Sequence, residues 1–293
     1  MLSALFAAAI AFTPADAKMA YGEAAALVRE HTPRHAGTVR GRLAAGWLLD
    51  RVSRTGVDAS LDTFRAQSPD GEKSFSNVMV EFPCDRPNAP WIVLMSHFDT
   101  APTAESGFQG ANDGASTSGL LVALAAAIRR AGKPNNNIAL VWTDGEECCH
   151  EYGPDDGFQG SKRLVDLFRE RHRPVRGAIC LDMLGDRSLN ISIPGNGEKT
   201  LRKIAKIAAD RAGVGKFVSL CDNLVVKDDH QAFLDAGCAA IDLIDFDFGS
   251  APGRNDYWHT AQDTMDKISE DSLLASGRFA AELLNMLDER KEN

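Results

Sequence analysis

The chain has 293 residues, of which 41 are acidic and 32 basic, for a formal net charge of −9. With 44% hydrophobic and 25% charged residues, its composition is that of a globular protein, which excludes collagen, a coiled coil and a disordered tail protein. The acidic balance, without a cluster of lysine or arginine, argues against nucleic acid as a partner. A chain of this length buries enough surface for a full core, so one large domain is expected.

The N-terminus has the pattern of an export signal. Residues 2–12 form an apolar run too short to span a bilayer, and Ala15-Asp16-Ala17 has the small-x-small pattern of a cleavage site. We therefore predict a signal peptide over residues 1–17, a mature single domain over residues 18–293, and a periplasmic or secreted location. No basic residue precedes the run, so an ordinary N-terminal helix and a start at Met19 are the alternatives. No later segment is long enough to span a membrane.

Helical and strand patterns alternate along the rest of the chain. Apolar residues at helical spacing predict helices, whereas alternating or continuous apolar runs predict strands. Ser68-Pro69-Asp70-Gly71 predicts the turn of a hairpin between the first two strands. The predicted helices span residues 20–31, 38–54, 115–131, 158–170, 199–212 and 270–288. The predicted strands span residues 57–66, 75–82, 91–95, 138–142, 178–183 and 239–244.

This alternation predicts an α/β fold, a three-layer α/β/α sandwich. Its central sheet is expected to be mixed but mostly parallel, covered by helices on both faces, with the hairpin as an antiparallel addition at one edge. Sheets of this kind carry their functional sites beyond the C-terminal ends of the strands. The residues at those ends are therefore the first candidates for a functional site.

Acidic residues and histidines follow four of the predicted strands, and two more such segments lie in the loops. Taken singly, each has an ordinary explanation: a hydrogen-bonded core histidine, an aspartate that caps a helix, or a glutamate in a solvated loop. Because the C-terminal ends of parallel strands meet at one edge of the sheet, their shared position predicts a site instead. The six segments are His97-Phe98-Asp99, Asn112-Asp113-Gly114, Asp144-Gly145-Glu146-Glu147, Asp182, Asp245-Phe246-Asp247 and Trp258-His259-Thr260.

Two imidazoles and three carboxylates in this set are candidate metal ligands. Such a nitrogen and oxygen donor set suits zinc, with manganese and cobalt as alternatives, and argues against copper or an iron–sulfur cluster. A carboxylate between two imidazole–carboxylate pairs can bridge two ions. The five candidate ligands are His97, Asp113, Glu147, Asp182 and His259.

Two further acids are candidate catalytic residues. Asp99, two residues after His97, is placed to accept the free imidazole N–H and so to determine the tautomer of that histidine. Glu146 adjoins a candidate ligand and would itself stay free. A free glutamate beside zinc-bound water is the usual general base, since zinc lowers the pKa of that water to about 7.

The six cysteines show neither a repeating spacing nor a Cys-x-x-Cys motif, which excludes a disulfide framework and a zinc ribbon. Cys180 and Cys238 lie in or beside apolar runs and are expected to be buried. The neighbouring residues Cys148 and Cys149 directly follow a run of acids. The sequence leaves open whether these two are bonded to each other after export.

Five ordered motifs make the chain, over about residues 32–285, resemble metallopeptidase family 28. That family contains the co-catalytic zinc aminopeptidases and, on the same fold, the glutaminyl-peptide cyclotransferases. By this resemblance, one zinc would take His97 and Asp182 and the other Glu147 and His259, with Asp113 bridging and Glu146 acting as base or acid. The motifs are His97-Phe98-Asp99, Gly110-Ala111-Asn112-Asp113-Gly114-Ala115, Asp144-Gly145-Glu146-Glu147, Leu181-Asp182-Met183, and His259-Thr260 with Asp263-Thr264.

Some segments resemble the cyclotransferase branch more closely, namely Asp228-Asp229-His230, residues 156–161 and Trp258. In that branch the equivalents of Asp113, Glu147 and His259 hold a single zinc. The resemblance then implies a proton-handling acid cluster of Glu146, Asp182 and Asp228, and a substrate pocket formed by Trp258, Asp229 and His230. Residues 110–115 and the ending at residues 257–264, however, also resemble ordinary bacterial peptidases of the family. For Trp258, a core aromatic is the alternative.

These observations predict a zinc enzyme that acts on the N-termini of peptides or proteins. Our first expectation is an aminopeptidase, in which Glu146 takes a proton from metal-bound water that attacks the first peptide bond. The alternative is a glutaminyl-peptide cyclotransferase, in which the substrate's own α-amine attacks its glutamine side chain and ammonia leaves. A non-catalytic binding protein on the same fold is a third possibility, but such a protein would be expected to have lost Glu146 or a ligand.

Overall fold

The computed structural model describes residues 8–289. Seven α-helices and eight strands occur within this range, with short irregular or 3-10 turns at Ala111–Ser116, Gly215–Phe217 and Met265–Lys267. The helices are α1 Pro14–His31, α2 Val39–Ser53, α3 Thr117–Ala131, α4 Gln159–Glu170, α5 Lys199–Arg211, α6 His230–Asp235 and α7 Glu270–Glu289. The strands are β1 Ala59–Ser68, β2 Gly71–Phe82, β3 Trp91–His97, β4 Asn137–Thr143, β5 Val175–Asp182, β6 Ile191–Pro194, β7 Val218–Cys221 and β8 Ala240–Ile244.

All eight strands form one sheet in the order β1-β2-β4-β3-β5-β8-β6-β7. The central strands β4, β3, β5 and β8 are parallel to one another, whereas β6, which is parallel to β7, pairs antiparallel with β8. The β1–β2 hairpin pairs antiparallel with β4 at one edge, as the turn at residues 68–71 predicts. The mixed, mostly parallel sheet with an antiparallel hairpin at its edge is therefore confirmed.

Side chains of the central strands alternate between two cores, which makes the domain three layers deep. On β3, Ile92 and Leu94 pack in the core formed with α1, α2, α3, α5 and α7. Val93 and Met95 point to the opposite face, into the core formed with α4 and α6. Both faces of β3 are fully buried, which is why its sequence is a continuous apolar run rather than an alternating one.

Helix α1 begins earlier than its apolar pattern predicts. Thr13 is its N-cap, and a capping box joins Thr13 to Asp16, whose Oδ2 accepts the backbone N–H of Thr13 at 2.8 Å. The carboxylate of Asp16 is buried and also pairs with Arg130 at 2.7 Å. The predicted cleavage point after Ala17 thus falls within α1, while the first seven residues of the predicted leader lie outside the described range.

Residues just before α1 pack on the C-terminal helix. The side chain of Asn285 on α7 accepts the backbone N–H of Ile10 at 2.8 Å and donates to its carbonyl oxygen at 3.0 Å. Phe12 is 5% exposed, and its ring fills the space where Gly277 of α7 lacks a Cβ. Between residues 8 and 289, no helix is both long and apolar enough to cross a membrane.

Three short elements were not predicted, namely β6, β7 and α6, each of four to six residues. Elements of this length show too few periods of an apolar pattern to be recognised, and neighbouring strands and helices stabilise them instead.

All six cysteines are free; Cys180 is buried as predicted, whereas Cys238 is partly exposed. Cys148 and Cys149 are therefore not bonded to each other.

Candidate metal centre and active site

The carboxyl ends of the central parallel strands bring the predicted ligands to one edge of the sheet. His97 is the last residue of β3 and Asp182 the last of β5, while Glu147 follows β4 by four residues. Asp113 lies in the turn at 111–116 before α3, and His259 lies in the loop after β8. All five side chains meet there, in two groups of three.

Asp113 belongs to both groups. Its Oδ1 lies 3.1 Å from His97 Nε2, and its Oδ2 lies 3.3 Å from His259 Nε2. His97 Nε2 is also 3.2 Å from an oxygen of Asp182, and His259 Nε2 is 3.1 Å from an oxygen of Glu147. Within each group the ligand atoms lie within 4.8 Å of one another.

This arrangement fits a divalent cation. The Oδ2 atom of Asp113 is buried, and the His259 Nε2 atom 3.3 Å away lacks the geometry of a hydrogen bond to it. Burying such a carboxylate oxygen is costly unless a proton or a cation compensates it. Imidazole nitrogens together with carboxylate oxygens are a donor set that zinc accepts. Each group offers three protein ligands, the number typical of a catalytic zinc that keeps one position open.

Backbone contacts hold Asp113 in place. The carboxylate of Asp263 accepts the backbone N–H of Asn112 at 2.7 Å and that of Asp113 at 3.1 Å. Gly114 has a φ of +87°, and a Cβ there would lie 3.0 Å from the imidazole of His97. A side chain at this position would therefore crowd the ligand and strain the backbone.

Arg34, which the sequence analysis did not single out, organises the same loop. Its guanidinium is fully buried and donates to the carbonyl oxygens of Phe98, Gln109 and Gly110, the last two at 3.0 and 2.7 Å. Burial lowers the pKa of Arg34 to about 10, so the group remains charged at neutral pH. The sequence signal was weak, because one arginine in a loop has no pattern.

Asp99 has a different role from the one predicted. Its Oδ1 lies 3.6 Å from His97 Nδ1, which is too long for a hydrogen bond. Instead, its two oxygens accept the backbone N–H groups of Glu146 and Glu147, each at 3.2 Å. Asp99 therefore orients the two glutamates rather than the imidazole of His97.

A cavity of about 280 Å³ opens over the ligands. Glu146, Asp182 and Asp228 line one part of it. Burial, reinforced by the charges of Glu147 and Asp228, raises the pKa of Glu146 well above its usual range. Burial and the charge of Asp182 raise the pKa of Asp228 to about 6. The cavity therefore holds carboxyl groups that can keep a proton near neutral pH.

Trp258 forms part of the cavity wall and stacks on His259, with ring centroids 4.0 Å apart. It is 37% exposed, which rules out the alternative of a core aromatic. Tyr152 lines the same cavity and directs its hydroxyl towards Glu146 at 3.5 Å. Phe246, which belongs to one of the six candidate segments, and Ile244, the last residue of β8, also form the wall. Four further wall residues had no sequence signal, since loop residues have no periodic pattern: Leu224, Val225, Val226 and Lys227.

Asp229 and His230, which were predicted to contact substrate, are fully buried and do not line the cavity. Asp229 accepts a hydrogen bond from the Thr143 hydroxyl. Nε2 of His230 lies 3.0 Å from the side-chain nitrogen of Asn196, and burial lowers the pKa of His230 to about 4. These contacts correct the predicted role: both residues support the start of α6.

A family model described as Peptidase family M28 matches residues 77–284, which include all five candidate ligands. The chain belongs to peptidase family M28. All five motifs noted in the sequence lie within the matched range.

Curated relatives of this M28 chain include two bovine proteins. The chain is 28% identical over 269 residues to the glutaminyl-peptide cyclotransferase-like protein of Bos taurus, covering 83% of this chain and 66% of that protein. It is 24% identical over 279 residues to the glutaminyl-peptide cyclotransferase of Bos taurus, covering 82% and 74% of the two chains. The chain therefore spans about two thirds to three quarters of their length.

Solved structures resemble this M28 chain over nearly its whole length. The glutaminyl cyclase of an Acidobacteriales bacterium has a TM-score of 0.87 at 28% identity, covering 99% of both chains. The Porphyromonas gingivalis glutaminyl cyclase has a TM-score of 0.80 at 26% identity, covering 94% of this chain and 98% of that one. A leucine aminopeptidase precursor from Bacteroides thetaiotaomicron, at 24% identity and a TM-score of 0.80, covers 96% and 100% and shares the fold.

Proposed function

We propose that this M28 enzyme is a zinc-dependent glutaminyl-peptide cyclotransferase, which converts the N-terminal glutamine of a peptide or protein to pyroglutamate. The observation that carries the proposal is the group of three carboxyls, Glu146, Asp182 and Asp228, in one cavity with the ligand groups. The similarity to glutaminyl cyclases at 28% identity over the whole chain supports it. This reverses our first expectation from the sequence, which was an aminopeptidase.

Zinc would be held by Asp113, Glu147 and His259, since all three line the cavity, whereas His97 of the other group does not. A bound zinc ion would supply Lewis acidity that polarises the substrate's side-chain carbonyl and stabilises the negative charge on its oxygen. Asp99 and Asp263 would orient these ligands through backbone N–H groups.

Glu146 carries the proton in the proposed reaction. The α-amino nitrogen of the substrate forms a bond to the side-chain amide carbon, and the bond from that carbon to the amide nitrogen breaks. The carboxylate of Glu146 takes the proton that the α-amine loses and delivers it to the departing ammonia. Its pKa, which burial and the charges of Glu147 and Asp228 raise, makes this carboxylate a stronger base for the proton of the amine.

Asp182 and Asp228 support this transfer. Both are buried beside the cavity, and burial raises the pKa of each. Neighbouring carboxyl groups that cannot all ionise share protons, which keeps one of them able to donate. The apolar wall of Trp258, Phe246 and Ile244 restricts the access of water to the glutamine side chain.

An aminopeptidase is the second candidate, and one observation favours it. His97, Asp113 and Asp182 form a complete second group that could hold another ion, as a co-catalytic peptidase requires. In that case Glu146 would take its proton from water rather than from the substrate's amine. Nothing favours the binding-protein alternative, because Glu146 and all five ligands are present.

Two substrates separate the candidates. Purified full-length chain loaded with zinc is incubated with a glutamine-initiated tripeptide and, separately, with an aminoacyl-nitroanilide. We expect ammonia and a pyroglutamyl product from the first, seen by mass spectrometry, and no nitroaniline from the second. Release of nitroaniline or of a free N-terminal amino acid, without ammonia, would reject the cyclotransferase.

A further inference from the structure

A second concavity of about 570 Å³ opens beside the active-site cavity. It lies between α4 and α6, with Val165 on one side and Ala232 and Ala236 on the other. Tyr152 and Lys227 line both this groove and the active-site cavity. The two spaces therefore adjoin each other across the Tyr152–Lys227 boundary.

The active-site cavity is too small for a whole peptide. Its volume of about 280 Å³ is at the lower end for ligand pockets, which hold about 300–1,000 Å³. A peptide whose N-terminal residue occupies the cavity must therefore pass its remaining residues out of it. The groove is larger than the cavity and shares the wall residues Tyr152 and Lys227 with it, so it can receive those remaining residues.

We propose that the residues after the N-terminal glutamine lie in this groove, and that Lys227 selects peptides with an acidic residue directly after the glutamine. The inference rests on the proposed function and names the class of substrate that the same site prefers.

The charge of Lys227 is available for a substrate. Its side chain is exposed, and within residues 8–289 it forms no ion pair. The other basic residues of the groove are engaged. The Lys162 ammonium donates to carbonyl oxygens of the 153–157 loop at 2.6 to 3.0 Å, and Arg169 pairs with Asp166 at 3.3 Å.

The opposite side of the boundary is held in place before any peptide binds. Tyr152 stacks on Phe158 with ring centroids 4.5 Å apart and the planes 8° from parallel. The carboxylate of Asp156 accepts the backbone N–H groups of Cys149 and His150 at 2.6 and 2.8 Å. A preorganised wall lowers the entropy cost of ordering a bound peptide.

An exposed lysine gives a modest preference. Surface ion pairs correspond to about a 1.5- to 5-fold difference in affinity, and salt weakens them. The net charge of −9 repels acidic peptides at long range and so opposes the attraction by Lys227. The peptides are therefore compared at about 0.15 M salt. There the long-range effect is screened beyond about 8 Å.

The test compares kcat/KM of the zinc-loaded full chain on Gln-Glu-Ala-Ala, Gln-Ala-Ala-Ala and Gln-Lys-Ala-Ala, measured by ammonia release. We expect kcat/KM for Gln-Glu-Ala-Ala to be about threefold higher than for Gln-Ala-Ala-Ala, and kcat/KM for Gln-Lys-Ala-Ala to be the lowest of the three. Lys227→Ala should bring the ratios close to one, and Lys227→Glu should reverse the order. Lys203→Ala, which removes an exposed lysine of α5 outside the groove, is the control and should leave all three values unchanged.

The groove itself is tested by peptide length. Ala236→Trp would fill the space between α4 and α6, and should lower kcat/KM for the tetrapeptide relative to the dipeptide amide Gln-Ala by at least fivefold. Ala232→Trp serves as a second variant if the first does not fold, as judged by circular dichroism.

If wild type cyclises no glutamine peptide, the proposed function is wrong and this inference fails with it. If wild type cyclises all three tetrapeptides with the same kcat/KM, or if Lys227→Glu ranks the three peptides as wild type does, only the inference is overturned.

Discussion

Asp263 lies 150 residues after Asp113 in the chain, yet its carboxylate accepts the backbone N–H of Asp113 at 3.1 Å. This hydrogen bond holds the irregular turn in which the carboxylate of Asp113 faces one imidazole with each of its oxygens. A residue that belongs to both ligand groups therefore depends on a loop from the far end of the chain.

Glu146→Gln should lower turnover on a glutamine-initiated peptide by a factor of about 10² or more. An amide has nearly the same shape but cannot take a proton from the substrate's amine and return it to ammonia. Zinc content and the unfolding temperature should stay at wild-type values, because Glu146 is in neither three-ligand group that Asp113 shares. Glu151→Gln, an exposed residue of the same loop, is the matched control. Wild-type turnover in a zinc-loaded Glu146→Gln protein would remove Glu146 from the mechanism.

Zinc content separates the one-metal and two-metal alternatives. We expect about one zinc per chain by elemental analysis, lost together with activity on chelation and restored with it. Asp182→Ala should keep that zinc yet lose turnover, since Asp182 then acts as an acid beside Glu146 rather than as a ligand. Asp228→Ala should behave in the same way.

The control for these variants is Asp85→Ala, which removes an aspartate whose side chain is 82% exposed. Two zincs in the wild type, falling towards one in Asp182→Ala, would favour the aminopeptidase, because loss of a ligand weakens its ion directly. Full activity after complete metal removal would exclude both alternatives.

A chain that starts at Lys18 should be less stable than the full chain. It loses the Thr13 cap of α1, worth about 1 kcal/mol, and the buried ring of Phe12, worth about 2 kcal/mol. Urea unfolding should therefore give a free energy of unfolding lower by about 3 kcal/mol. Thr13→Ala in the full chain isolates the cap and should cost about 1 kcal/mol. Equal stability of the two chains would contradict the packing of residues 8–17 on α3 and α7.

Export and cleavage remain predictions from the sequence. N-terminal sequencing of protein recovered from a periplasmic or secreted fraction is expected to begin at Lys18. Such a product would have lost the capping box and Phe12, and its stability should match that of the truncated chain. Protein found only in the cytoplasm, beginning at Met1 or Met19, would count against export.

The chelated protein should lose stability as the pH rises towards 8. Burial raises the pKa of Asp229, Asp245 and Asp263 to about 7 each, from an ordinary value of 3.8. Between these values the folded chain binds more protons than the unfolded chain, so the free energy of unfolding falls with rising pH. His230, with a pKa lowered to about 4, acts oppositely but only below about 6.5. Since three carboxyls outweigh one histidine, the fall should begin near pH 5 and continue through pH 7.

Urea midpoints of the chelated protein at pH 6, 7 and 8 measure this fall. Asp245→Asn removes one of the three carboxyls at a position away from the ligands, and should flatten the dependence on pH. The slope is the readout, because the substitution also alters the hydrogen bonds that Asp245 accepts from Asn190 and Asp247. A midpoint that rises between pH 6.5 and 7.5 would contradict the assigned shifts.

The sequence by itself determined the layers of the fold and the edge of the sheet at which the candidate ligands lie. Strands buried on both faces read as continuous apolar runs, and their alternation with helices allows only a mainly parallel covered sheet. Because parallel strands end at one edge, His97 and Asp182 had to lie at the same edge of the sheet. They contact each other because β3 and β5 are neighbours in the strand order. The fold class and the shared edge each follow from a local pattern and one topological rule.

Only the tertiary structure decided the partners of the buried polar groups. Asp99 accepts the backbone N–H of Glu146 rather than a hydrogen bond from the ring of His97. Of the two adjacent aspartates, Asp228 lines the cavity, whereas Asp229 is buried and accepts a hydrogen bond from Thr143. The sequence places Asp228 and Asp229 side by side and does not say which faces the cavity. That depends on where the start of α6 sits against β4, which the packing of whole elements determines, because burial is decided by neighbours distant in the chain.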